Sequence, residues 1–234
     1  MARFLLIHGA MHGAWCWHKV VPLLEAHGHE AVAIDLPSHG DDPTAPEGVT
    51  ISDYVARAVE HLEPQTVLVG HSLGGLTITL AAAARPDLAG ALVYLCAFVP
   101  PPGVAASSYR RDAVTDELVA AQEGHRDRGV TTPVLDRAGP VFYSGCSAED
   151  VAFALPRLSP QPVAIMQEVL DFDLPDIPRH YIRCLEDRTV KPSYQRAMTE
   201  GWPEGTVHDM QSGHSPFFSD PDGLVRILDA IADT

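Results

Sequence analysis

The chain has 234 residues, 46% of them hydrophobic and 20% charged, which suits one domain with a large buried core and excludes a disordered or low-complexity chain. Against 16 basic residues stand 31 acidic ones, a formal net charge of −15. That charge repels phosphate backbones and anionic lipid, so nucleic acid and acidic membranes are excluded as partners.

The opening apolar run, residues 4–7, is too short for a secretory leader, and no apolar stretch is long enough to span a bilayer. It is closed by His8-Gly9 and reads as a first strand. Trp17, Val20, Val21 and Leu24 then recur at helical spacing, and residues 30–35 form a second strand stopped by Leu36-Pro37. Ser52 is placed to cap a helix with the stripe Val55, Ala58, Val59 and Leu62. Residues 67–69 are a third strand, followed by an Ala-rich helix over 72–84, and residues 92–95 a fourth. Continuous apolar strands alternating with helices predict an α/β fold with a parallel sheet covered on both faces.

The alternation stops near Phe98 and gives way to a Pro-punctuated stretch with short helical patterns at 114–122 and 163–170. It resumes with a strand over 181–185, a helix over 193–200 and a strand over 206–210. A terminal helix follows, with the stripe Leu224, Ile227, Leu228 and Ile231. The expected division is therefore a core of residues 1–97 and 179–234 interrupted by an insertion over 98–178. The four cysteines, Cys16, Cys96, Cys146 and Cys184, contain no Cys-x-x-Cys and read as reduced thiols in a cytoplasmic setting. Lys19 and Lys191 are the only lysines, and this arginine bias, with many alanines and prolines, points to a high-GC bacterial genome.

The chemistry concentrates around Gly70-His71-Ser72-Leu73-Gly74, a Gly-x-Ser-x-Gly set between a buried strand and a helix. A serine on so tight a turn needs small neighbours, and Gly70, Gly74 and Gly75 supply them. Its hydroxyl needs a general base and the base an orienting acid, in the chain order Ser, Asp or Glu, then His. Position selects His214, in the loop between the 206–210 strand and the last helix. The acid belongs at the end of the 181–185 strand, where Glu186 and Asp187 adjoin; Asp187 is preferred because Glu186 reads as the last strand residue. Backbone N–H groups of Leu73 and Ala10 are the expected oxyanion donors, Ala10 following the first strand through Gly9. His8 and His12 have no acidic or cysteine pattern beside them, so no metal is expected, and the mechanism calls for no cofactor.

At this point the chain resembles an α/β-hydrolase of the plant-type methylesterase and hydroxynitrile lyase group. The matching segments are residues 4–15, 23–29, 34–36, 69–75, and 184–188 through 194–195. The resemblance implies about six parallel strands with helices on both faces and a small, mainly helical cap over Ser72, the place of the 98–178 insertion. It carries over the triad Ser72, Asp187 and His214, with Ala10 and Leu73 as oxyanion donors.

Cyanohydrin-cleaving members of that group place a threonine where Gly9 stands and a lysine where Ser215 stands. Lacking both, the chain is expected to hydrolyse esters. The alternatives are a cyanohydrin lyase and a small-molecule binding protein on a hydrolase scaffold. The insertion contributes Phe142, Tyr143, Phe153, Leu155, Met166 and Phe172 and no arginine cluster, so the expected substrate is a small, uncharged, hydrophobic ester. Met11, Phe142, Tyr143, Met166 and Ser215 are the candidate pocket residues. Nothing in the pattern sets an oligomeric state.

Overall fold

The buried apolar runs of the two outer stretches pair into one sheet. In a computed structural model that describes residues 1–232, they form β1 (Arg3–Ile7), β2 (Glu30–Ile34), β3 (Thr66–His71), β4 (Ala89–Leu95), β5 (Arg179–Cys184) and β6 (Val207–Met210). The last two residues of the expected 179–234 stretch, Asp233 and Thr234, lie outside the described residues. Strand order is β6-β5-β4-β3-β1-β2, and every neighbouring pair is parallel. Parallel strands need crossover connections, and the helices in those connections shield the sheet; β3 is accordingly buried at all six positions.

The helix after β3 runs Gly74–Ala84, two residues later than expected, because Ser72 and Leu73 form the turn that leads into it. It is apolar on nearly every side, as a helix inside the core must be. Helix Ile51–Val59 is capped by Thr50 and not by Ser52: the Thr50 N–H donates to Asp53 Oδ2 at 2.8 Å, which closes a capping box two residues earlier than expected. The terminal helix Pro221–Ala232 buries Leu224, Leu228 and Ile231 of the expected stripe and leaves its fourth member, Ile227, half-buried.

Between β4 and β5 lie short helices, among them Ala106–Ala113, Asp116–Ala120, Leu135–Phe142, Ala148–Ala154 and Ala164–Gln167. The same stretch also holds strands that the sequence did not suggest. Gln122–His125, Val130–Pro133 and Gln161–Pro162 form a three-stranded antiparallel sheet, and Val104–Ala105 pairs with Val169–Leu170. Strands of two to four residues carry too little alternation to register as a period, and Gln122-Glu123-Gly124-His125 has no apolar residue at all. Among the described residues no helix is long and apolar enough to cross a membrane, and all four cysteines are unpaired.

Candidate active site

The sheet order places a crevice before any side chain is considered. From β1 the chain crosses to β2 on one side, then returns to β3 on the other, so the connections leave the carboxyl ends of β1 and β3 in opposite directions. Ile7 pairs with Gly70 across these strands, which brings the loop after β1 beside Ser72.

Ser72 occupies the left-handed region, φ 52°, a conformation that non-glycine residues adopt only when their surroundings enforce it. The Ser72 N–H donates to the Leu95 carbonyl at 3.1 Å, and the Ser72 carbonyl accepts from Gly75 at 3.2 Å and Phe98 at 3.0 Å. Two glycines allow this packing. A Cβ at Gly75 would collide with the Phe98 carbonyl, and one at Gly9 would stand 2.8 Å from both His71 Nδ1 and Ser72 Cβ.

His214 and Asp187 meet beside this turn. His214 Nδ1 donates to Asp187 Oδ2 at 2.8 Å, which leaves Nε2 as the ring's basic nitrogen. Asp187 Oδ2 also accepts from Gln195 Nε2 at 2.9 Å, while Oδ1 accepts the N–H groups of Thr189 at 2.7 Å and Val190 at 3.0 Å. All four partners donate, so the carboxylate is held as an acceptor only. The strand before it ends at Cys184, earlier than the expected 185 or 186; Glu186 is exposed and Asp187 only 4% exposed. The His214 carbonyl is held in turn by His71, whose Nε2 donates to it at 2.8 Å.

The N–H groups of Ala10 and Leu73 donate to no protein acceptor among the described residues, and both residues line the cavity that contains Ser72 and His214. The Ala10 loop is fastened on both sides. His12 Nδ1 donates to the Ala10 carbonyl at 2.8 Å, and Met11, also left-handed at φ 65°, donates its N–H to Gln161 Oε1 at 3.2 Å. The Met11 carbonyl accepts from the Ser159 N–H at 2.9 Å. Gln161 also meets His39 and Tyr54: its Oε1 lies 3.1 Å from His39 Nε2 and its Nε2 donates to Tyr54 Oη at 3.2 Å, while His39 Nδ1 lies 3.1 Å from the Pro37 carbonyl and 3.2 Å from Tyr54 Oη.

Of the candidate pocket residues, Met11, Phe142 and Met166 line the cavity. Tyr143 and Ser215 do not: Tyr143 donates to His12 Nε2 at 3.0 Å behind the loop, and Ser215 Oγ donates to the Phe142 carbonyl at 2.7 Å. Residues missed in the sequence include Arg110, Gln122, Thr131 and Gln161 on the cavity wall, and Gln195 behind the acid. Gln195 lies in the matching segment that carries Asp187, which was the available signal for it; the other four belong to no local motif that could have marked them.

Burial keeps the surrounding histidines uncharged. It pushes the His12 pKa down to about 3 and lowers His8 and His71 well below the usual imidazole range. Among the described residues, His71, Cys96 and His214 are the one group with three ligand-type atoms close together, within 4.8 Å. His71 Nε2 and His214 Nδ1 are committed to the bonds above, and burial raises the Cys96 thiol well above its usual pKa. The cluster is thus poorly suited to a cation and well suited to hold His214 in place.

A parallel sheet with a strained serine after β3 and a buried Asp–His pair beyond β5 and β6 is the arrangement of the α/β hydrolases. Residues 4–227 match the model of the Alpha/beta hydrolase family, and the chain belongs to that family. It is 32% identical to methylesterase 7 and 33% identical to methylesterase 2 of Arabidopsis thaliana, in each case over 99% of this chain and 96% of the relative. Among solved structures, a pyrethroid hydrolase from Sphingobium faniae JZ-2 superposes with a TM-score of 0.87 at 28% identity, over 100% of this chain and 98% of that one.

Proposed function

We propose that this protein is a serine carboxylic-ester hydrolase acting on small, hydrophobic esters, with Ser72, His214 and Asp187 as its triad. The observation that carries the reading is the buried Asp187–His214 bond, which directs the basic Nε2 away from the acid, beside a strained Ser72 that opens onto the same cavity. His214 takes the Ser72 proton as Oγ attacks the ester carbonyl. The Ala10 and Leu73 N–H groups receive the oxyanion; removing such a donor costs about 3–4 kcal/mol of transition-state stabilisation in other hydrolases. His214 then protonates the departing alcohol and activates the water that releases the acid, while Asp187 holds its tautomer. No cofactor enters these steps.

Residues 98–178 act as a cap, a role supported by Phe142 and Met166 facing the same cavity as Ser72 and His214. The relatives named methylesterases make methyl esters the first choice of substrate. The unpaired cysteines suit a cytoplasmic enzyme meeting a free small molecule. The test is a graded panel of acyl and alkoxy esters, with mandelonitrile included and Ser72→Ala as the blank. Ester turnover that falls at least about 10⁴-fold in Ser72→Ala is expected. Near-native activity in that variant, or cyanide release without ester cleavage, overturns the assignment.

A further inference from the structure

The cavity wall around Ser72 and His214 is mostly apolar, with Phe98, Val114, Leu118, Met166 and Val190 among its residues, yet it includes one cation, Arg110. Arg110 lies on helix Ala106–Ala113, in the segment that covers the sheet. Its Nη2 donates to Gln122 Oε1 at 2.7 Å, a neutral acceptor from the first strand of the small antiparallel sheet, and Gln122 lines the same cavity. Burial lowers the Arg110 pKa, and no neighbouring charge offsets it.

Several other arginines of the chain meet a carboxylate. Arg57 meets Asp42, Arg85 meets Asp87, Arg128 meets Glu47, Arg183 meets Asp209 and Arg188 meets Glu117. In a protein with 31 acidic residues, a half-buried guanidinium held only by a neutral amide lacks the counter-charge that burial calls for. A guanidinium is also the side chain best shaped to take both oxygens of a carboxylate.

Resting on the ester-hydrolase reading above, we infer that the preferred substrate is a half-ester, whose acyl chain ends in a free carboxylate bound by Arg110. Gln122 holds the guanidinium in place through one N–H and leaves the others for the ligand. The apolar wall contacts the methylene chain between the carboxylate and the scissile ester. The expectation of an uncharged ester came from the apolar and aromatic residues of the insertion and from the lack of an arginine cluster. Within an apolar cavity a single arginine is enough, since charge pairs strengthen as water is removed.

The test compares monomethyl glutarate and monomethyl adipate with their dimethyl esters and with methyl hexanoate. The expected result is a kcat/KM for the better half-ester at least about tenfold above the neutral esters, about 1.4 kcal/mol of discrimination. Arg110→Met lowers kcat/KM for the half-ester at least tenfold more than for the neutral esters, and Arg110→Lys falls between. Equal or better turnover of neutral esters by the native protein overturns the inference. So does an equal loss on both substrate types in Arg110→Met, which would leave Arg110 a purely structural tie to Gln122. If no ester is cleaved at all, the parent reading fails separately. Calorimetric binding of monomethyl adipate to Ser72→Ala, lost when Arg110→Met is added, then supports the arginine's role, and unchanged binding overturns it.

Discussion

The sheet and the segment that covers it are built to different standards. Around the sheet's carboxyl edge, polar groups are closed on one another: Asp187 has four donors, and His214 is held at its ring and its carbonyl. The covering segment is a patchwork of two- to eight-residue elements. Apart from Met1, every exposed large hydrophobic residue among those described lies in it: Val119, Leu135, Val169 and Leu174. The difference teaches where precision is needed. Under the proposed mechanism the bond-making groups tolerate little misplacement and stand at the sheet's carboxyl edge, and substrate selection falls to the looser segment.

The strongest way to break this comparison is to disturb the closed side. Asp187→Asn puts an NH₂ group where only acceptors are wanted, because all four partners donate. His214 would then lose the bond that fixes its tautomer. The expected result is a fall in kcat on the order of 10⁴-fold with KM little changed, measured on the best ester. A loss below about tenfold would mean that the Asp–His pair is not the orienting device.

How much of this was legible in the sequence follows the same divide. The core strands stood out because a strand buried on both faces is a continuous apolar run, and Ser72, Asp187 and His214 followed from chain order and position at strand ends. The choice of Asp187 had the wrong strand end behind it: β5 stops at Cys184, and it is burial and hydrogen bonding that set Asp187 apart from Glu186. Side-chain direction was the weaker inference. Tyr143 and Ser215 sit in the expected neighbourhood, but their hydroxyls turn to His12 and to the Phe142 carbonyl. Gln161 was invisible for a simpler reason, since its bond to Met11 joins positions 150 residues apart.

Gln161 sharpens the comparison because it is a covering residue that serves the rigid side. Its Oε1 holds the Met11 N–H, one peptide beyond the Ala10 donor, and lies 3.1 Å from His39 Nε2. Gln161→Leu leaves the Met11 N–H buried without its acceptor, a loss worth about 1–3 kcal/mol. As a positioning residue, it should act on the transition state more than on binding. The expected result is a kcat about tenfold lower with KM within about threefold, and partial recovery in Gln161→Glu, which keeps the acceptor. Loss of KM alone would return Gln161 to the substrate-selecting side.

The smallest effect concerns the buried histidines beneath the Ala10 loop, and it separates their contribution from that of the carboxylates. His12 donates through Nδ1 to Ala10 and accepts at Nε2 from Tyr143, and burial pushes its pKa down to about 3. Its unfolded-state pKa is about 6.5, so below that pH the unfolded chain takes up a proton that the folded one refuses. The stability it contributes is therefore complete above pH 6.5 and is lost progressively as pH falls toward 3. His8, His39 and His71 are shifted in the same direction. Carboxylates held below their usual range, Asp42, Asp53, Glu47 and Glu117 among them, add their own loss mainly below about pH 5. Between about pH 5 and 6 the slope of stability against pH thus reports chiefly the histidines, each adding at most about 1.4 kcal/mol per pH unit. Urea unfolding of His12→Asn across that window should give a slope shallower by close to that amount. An unchanged slope would show that His12 is protonated in the folded protein, and the closed hydrogen bonding ascribed to the sheet side would fail at the loop that carries Ala10.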